Sequence, residues 1–270
     1  MIVSFRTLQA VIFISILGYV TACTTLIKIP ELQISRAQAE KSWQNVLTQF
    51  VDSDGWVDFE GLKKTPEELS TFVSFVSLNG PKNAPNLFTT DADKLAFYLN
   101  AYNALSIYNI LDSGIPESHS GLKKIKFFVI KKMQIGGEVM SLKAYEDETI
   151  RKLGEPRVHF ALNCMAASCP RLPRTAFNGA QIEEQLQAGA QKFFSEKRNL
   201  TLDNEIKVAY TSEILDFFPS DFLAKAPTLI DFINRYSKEK IPRDYRLEYF
   251  RYDWTVINQA KKDHYLKEIK

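Results

Sequence analysis

Histidine and cysteine are scarce in this chain, three of each in 270 residues. A structural metal needs four ligands at regular spacing. Two cysteines and one nearby histidine lack a fourth partner, so no metal and no cofactor is expected. Charge of one sign is also missing: 34 basic side chains face 32 acidic ones. Such balance removes the case for a nucleic-acid partner. Internal repeats and low-complexity tracts are absent. No apolar run reaches the roughly 18 residues that a membrane-spanning helix requires. What remains is 45% hydrophobic and 24% charged, the make-up of an ordinary globule.

The one concentrated apolar run, Leu8 to Val20, follows Arg6 and closes on Val20-Thr21-Ala22-Cys23. A positive start, a short apolar stretch and small residues at the cut read as a bacterial secretory leader over residues 1–22. A cysteine directly after Thr-Ala fits the lipobox pattern, which makes Cys23 the acylated first residue of the mature chain. Two or more acyl chains give stable anchoring. Thr24 stands where Asp would favour retention at the inner membrane. The expected address is therefore the bacterial cell envelope, lipid-anchored at the outer membrane and facing the periplasm. Residues 23–36, with Pro30, read as the lipidated N-terminus and a tether, and residues 259–270 as a polar tail.

Between them the pattern is mostly helical. Helices are expected over Gln38–Phe50, from Pro66 to about Leu78, over Asp91–Leu111, from Ser141 to about Leu153, over Gln181–Phe194, Ser212–Phe222 and Thr228–Tyr236. The Asp91–Leu111 stretch is apolar nearly all round, which marks a buried helix, and Thr90 with Asp93 fits an N-terminal capping box. Gly136-Gly137 signals a hairpin within 125–141. The lysines Lys123, Lys124, Lys126, Lys131 and Lys132 read as its solvated face. Val158–Cys164, Glu205–Tyr210 and Tyr249–Trp254 read as strands. The fold class that follows is α+β: a helix-rich single domain around a small, mostly antiparallel sheet.

Chemistry concentrates in Arg157-Val158-His159-Phe160-Ala161-Leu162-Asn163-Cys164, followed by Ser168-Cys169-Pro170. On a strand His159, Ala161 and Asn163 share one face, and Phe160, Leu162 and Cys164 the other. Cys164 and Cys169 admit three readings: a disulfide closing a short loop in an oxidising compartment, a thiol nucleophile working with His159, or free structural thiols. Asn100, Tyr102 and Asn103 fall in the buried helix. Burying an amide without partners costs about 1–3 kcal/mol, so these groups must pin neighbouring loops or line a polar pocket. Glu146 and Arg151, on the helix after the hairpin, either pair with Arg157 or line the same pocket. His119, in a loop, and His264, in the tail, have no evident company.

The run His-Phe-Ala-Leu-Asn-Cys with Ser-Cys-Pro resembles the hallmark of the domain of unknown function 547 family. Four further blocks agree: Ala96-Phe97-Tyr98-Leu99-Asn100-Ala101-Tyr102-Asn103-Ala104-Leu105, Gly136-Gly137 with Ser141-Leu142, Ser212–Phe222, and Tyr252-Asp253-Trp254. The likeness spans residues 37–258. Asp147 stands where the family often carries His. The resemblance implies no activity. The leading functional reading is a binding module whose polar pocket, around His159, Asn163 and Asn100, takes an envelope peptide, glycan or protein. The alternative is a Cys-His thiol hydrolase or transglutaminase-like acyl transferase using His159 with Cys164 or Cys169.

Overall fold

A computed structural model describes residues 24–268, so the expected leader and Cys23 lie outside the described residues. Helix α1 (Arg36–Phe50) is capped by the Ser35 hydroxyl and buries Trp43, Val46, Leu47 and Phe50. Asp52 then folds the chain back, its Oδ1 accepting from the amides of Asp54 and Trp56. Two helices follow, α2 (Phe59–Lys64) and α3 (Glu67–Leu78). The long α4 (Asp91–Asp112) starts at the expected cap, with Thr90 Oγ1 accepting from the Asp93 amide at 3.0 Å. Its middle, Ala96–Ile107, is buried on every side, as an all-round apolar helix must be. It packs against α2, α3 and the later helices α6 (Leu142–Tyr145) and α7 (Ile182–Ser195).

The class is helix-rich α+β, with eleven α-helical segments among the described residues. The strand content is divided into two three-stranded sheets, each with one antiparallel and one parallel pair. In the first, β1 (Thr25–Leu26) lies parallel to β2 (Lys131–Ile135), which forms the expected hairpin with β3 (Glu138–Ser141). The segment read as a tether is thus laid against the body, with Ile27 in the core. The second sheet joins β4 (Leu200–Asp203), β5 (Val208–Ser212) and β6 (Arg246–Phe250). The hairpin turn docks on α3, the amides of Gly136 and Gly137 donating to the carbonyls of Val76 and Ser77 at 2.8 and 2.9 Å. Those last-turn carbonyls have no partner inside their own helix.

Three expectations change. Residues before the hairpin are helical: α5 (Leu122–Ile125) runs into a π-type turn over Lys126–Ile130. Lys131 is not solvated; it is buried and bonds Asp112 Oδ2 at 2.5 Å. The Val158–Cys164 strand does not form either. Pro156–Phe160 is a 3-10 turn that Glu155 caps by accepting from the Arg157 amide, and an irregular segment follows. Seven apolar residues cannot by themselves distinguish these outcomes. Here the edge that a neighbouring strand would pair is taken by one side chain, Asn103 of α4. Its Nδ2 donates to the Ala161 carbonyl at 3.0 Å and its Oδ1 accepts from the Asn163 amide at 2.8 Å.

Candidate functional site

With the strand gone, its alternation goes too. His159, Leu162, Cys164 and Cys169 line one cavity of about 90 Å³, closed by Tyr102 and Glu146 and walled by aromatic rings. At about 30 Å³ per liquid water, that is room for roughly three waters, or for one functional group of a larger molecule. Phe217, 43% exposed, stands at this cavity with Tyr252 and Trp254 in ring contact. Cys169 and Pro170 also border a second, more polar cavity of about 240 Å³, where Arg171, Arg198 and Lys262 face Asp54.

The histidine is held from below. Helices α8 (Ile214–Phe217) and α9 (Pro219–Leu223) follow β5 and place Phe218 flat against the imidazole, ring centroids 4.1 Å apart. Asp221 Oδ2 lies 2.8 Å from His159 Nε2. Arg151 clamps the same carboxylate with two hydrogen bonds, 2.7 and 2.9 Å, and bonds Asp147 at 2.8 Å. The hydrogen bond from His159, with the Arg151 guanidinium, holds the Asp221 carboxyl well below the usual carboxylate range. Burial lowers the His159 pKa and outweighs Asp221. The ring is therefore neutral at pH 7, Nε2–H donates to Asp221, and the lone pair sits on Nδ1.

Glu146 is the opposite case. Burial raises its pKa to about 7, against the Tyr102 hydroxyl, which donates to Oε2 at 3.1 Å. This carboxyl therefore holds its proton to a higher pH than an ordinary glutamate.

The two cysteines are free thiols, one of the readings left open, with their sulfurs 2.9 Å apart. Their environments differ. Cys169 Sγ accepts from the Cys164 amide at 3.2 Å and from the Tyr252 hydroxyl at 3.2 Å, and shares with the Cys164 thiol a hydrogen bond in which either sulfur can donate. Burial pushes the Cys169 thiol up, but these donors outweigh it and the net direction is down. Cys164 is pushed well up by its bond to Cys169 and by burial. Any thiolate in this pair therefore sits on Cys169.

Several expected pocket residues are committed elsewhere. Asn100 Oδ1 accepts from Trp43 Nε1 and from the Phe177 amide, and its Nδ2 donates to the Phe177 carbonyl. Asn163 spans its own loop, donating to the Pro170 carbonyl at 2.7 Å and accepting from the Met165 amide at 2.6 Å. Asn100, Asn103 and Asn163 are loop pins. Arg157 is sequestered with Glu155 and Glu183 and meets neither Glu146 nor Arg151. Three residues not singled out as site residues join the picture. Asp221 and Tyr252 lay within the matched blocks Ser212–Phe222 and Tyr252-Asp253-Trp254, the one signal that pointed to them. His119, read as isolated, is buried between Phe127 and Phe128 and donates from Nε2 to the Cys164 carbonyl at 2.9 Å. His264, also read as isolated, is not without a partner.

Fold and pocket together define a helix-rich α+β protein with a thiol pair, a carboxylate-held imidazole and a buried carboxyl around one small cavity. The family described as "Protein of unknown function, DUF547" matches residues 87–194 of the chain. That stretch runs from just before α4 to the end of α7 and carries Tyr102, Glu146, His159, Cys164 and Cys169; Asp221 and Tyr252 come from beyond it. No curated protein and no solved structure matches the chain.

Proposed function

We propose that this protein is a thiol-dependent acyl transferase or hydrolase, held at the bacterial envelope by lipid on Cys23. The observation that carries the reading is the Cys169 sulfur accepting two hydrogen bonds, from the Cys164 amide and the Tyr252 hydroxyl, in a cavity it shares with a neutral imidazole and the Glu146 carboxyl. A pocket that recognises its ligand through Asn100 and Asn163 is less favoured, because both amides are spent on the chain itself. Envelope peptides, glycans or proteins meeting the aromatic wall become substrates in this reading.

The chemistry follows from where the protons sit. The Cys169 thiolate attacks an acyl carbonyl carbon; the sulfur–carbon bond forms, the bond to the leaving group breaks, and the leaving group takes the proton of Glu146. Water or an acceptor hydroxyl or amine then gives its proton to His159 Nδ1 and bonds the acyl carbon as the sulfur–carbon bond breaks and the thiolate returns; passage of the proton from His159 to the Glu146 carboxylate through water restores the starting state. Asp221 and Arg151 keep the imidazole in the tautomer this needs.

The test uses p-nitrophenyl acetate as a generic acyl donor, with intact-mass and peptide mapping. Wild type should acquire one acetyl group on Cys169, and His159→Ala should leave it there longer, slowing release by about 10²-fold or more. Cys169→Ser should abolish the adduct, while Cys164→Ser keeps it. Finding both cysteines oxidised, with no adduct after reduction, would sink the proposal. Incorporation of labelled fatty acid at Cys23 tests the address separately.

A further inference from the structure

The segment Leu122–Ile130 is built unlike the rest of the surface. Leu122, Ile125 and Val129 recur at helical spacing and are 80%, 49% and 47% exposed. The opposite side is buried in the protein: Phe127 and Phe128 pack on His119, and Phe128 on Trp254. Lys124 lies over the Trp254 ring at 3.5 Å. Lys123 and Lys126 are exposed beside the apolar row. Glu117, whose carboxylate feels Lys123, is itself bonded to Lys261. An aliphatic row between free lysines, on a helix with its back fixed to the core, has the chemistry of an interfacial element. Apolar side chains suit the acyl boundary and ammonium groups suit anionic headgroups.

The chain outside the described residues leaves from the same place. Thr25 pairs with Lys131, one residue beyond Ile130, and Leu26 pairs with Lys132 while 57% exposed. Residues 1–23, with the apolar run, therefore join the body next to this patch. A segment that enters or is acylated into a lipid surface must bring the Leu122–Val129 row close to that surface. Of the described residues, no helix is long and apolar enough to cross a membrane, which leaves this row as a surface contact.

We propose that Leu122, Ile125 and Val129, flanked by Lys123 and Lys126, form a docking face for an anionic lipid surface, orienting the body on the membrane. The inference does not depend on Cys23 being acylated, because the leader alone would bring the same edge to the bilayer.

The experiment reconstitutes the full chain in phosphatidylcholine vesicles with or without phosphatidylglycerol, doped with a lipid carrying a diazirine in its acyl chain. After photolysis, adducts are mapped by peptide. Adducts should concentrate on Leu122–Val129 in phosphatidylglycerol vesicles and be sparse at Ile206 and Leu223, which are 51% and 46% exposed elsewhere on the chain. Lys123→Gln with Lys126→Gln should lower the adduct yield about 25-fold, at about five-fold per lysine. High salt should act in the same direction. Unfolding midpoints of the variant should match wild type, since both positions are exposed. Equal adducts at Ile206, or a yield indifferent to phosphatidylglycerol, would overturn the proposal. A normal adduct pattern without fatty-acid label would retire the Cys23 reading and leave this one standing.

Discussion

Glu146 owes its proton to burial, and the sign of its effect on stability can be stated. Its folded pKa, about 7, lies above the ordinary 4.5. Stability is fully present below pH 4.5 and is lost as pH rises through 7, by up to about 3 kcal/mol for a shift of this size. Glu146→Gln keeps the shape and removes the titration. It should match wild type at pH 4 and exceed it by about 2–3 kcal/mol at pH 8 in denaturant unfolding; equal stability at both would mean that water reaches the carboxylate. Single residues were also where the sequence was most legible. His159, Glu146, Tyr102, Cys164 and Cys169 could be named from the run of residues around them, and they share one cavity. Asp221 and Tyr252 could not, because a hydrogen bond closed across many intervening residues leaves no local pattern.

Between elements, the decisive contact is Asn103. It stands in for a missing strand neighbour, so the 161–163 segment keeps an extended run's composition without its ladder. This is why the sequence suggested a strand at Val158–Cys164: the apolar pattern was real, but the partner was a side chain from α4. The helices were easier to read, since caps at Thr90, Ser141 and Thr228 are local events. The π-type turn at Lys126–Ile130 was masked by loose alternation that also fits a strand. Asn103→Ala would strand the Ala161 carbonyl and the Asn163 amide in the interior. It should cost about 2–4 kcal/mol in the chemical unfolding midpoint, and a loss below about 1 kcal/mol would mean that another group takes over both bonds.

For the whole molecule, two buried groups pull stability in opposite directions over nearly the same pH range. Burial lowers the His119 pKa from 6.5 to about 4, against its bond to the Cys164 carbonyl. Its share of stability is present above pH 6.5 and is lost as pH falls toward 4, again by up to about 3 kcal/mol. His159, lowered for the same reason, adds to that side. Wild type should therefore gain stability with pH between 4.5 and 6.5 less steeply than Glu146→Gln, in which the opposing carboxyl is removed. A thermal-melt series at half-unit steps separates the two shapes, and parallel curves would refute the assignment. The first sheet carries a different consequence. Thr25 and Leu26 leave the ribosome long before Lys131 and Lys132 exist, so their place in the ladder stays vacant while more than a hundred further residues are made. The earliest part of the folded body to be made has to wait for the hairpin before it is fastened, and until then it is free for whatever machinery handles the nascent chain.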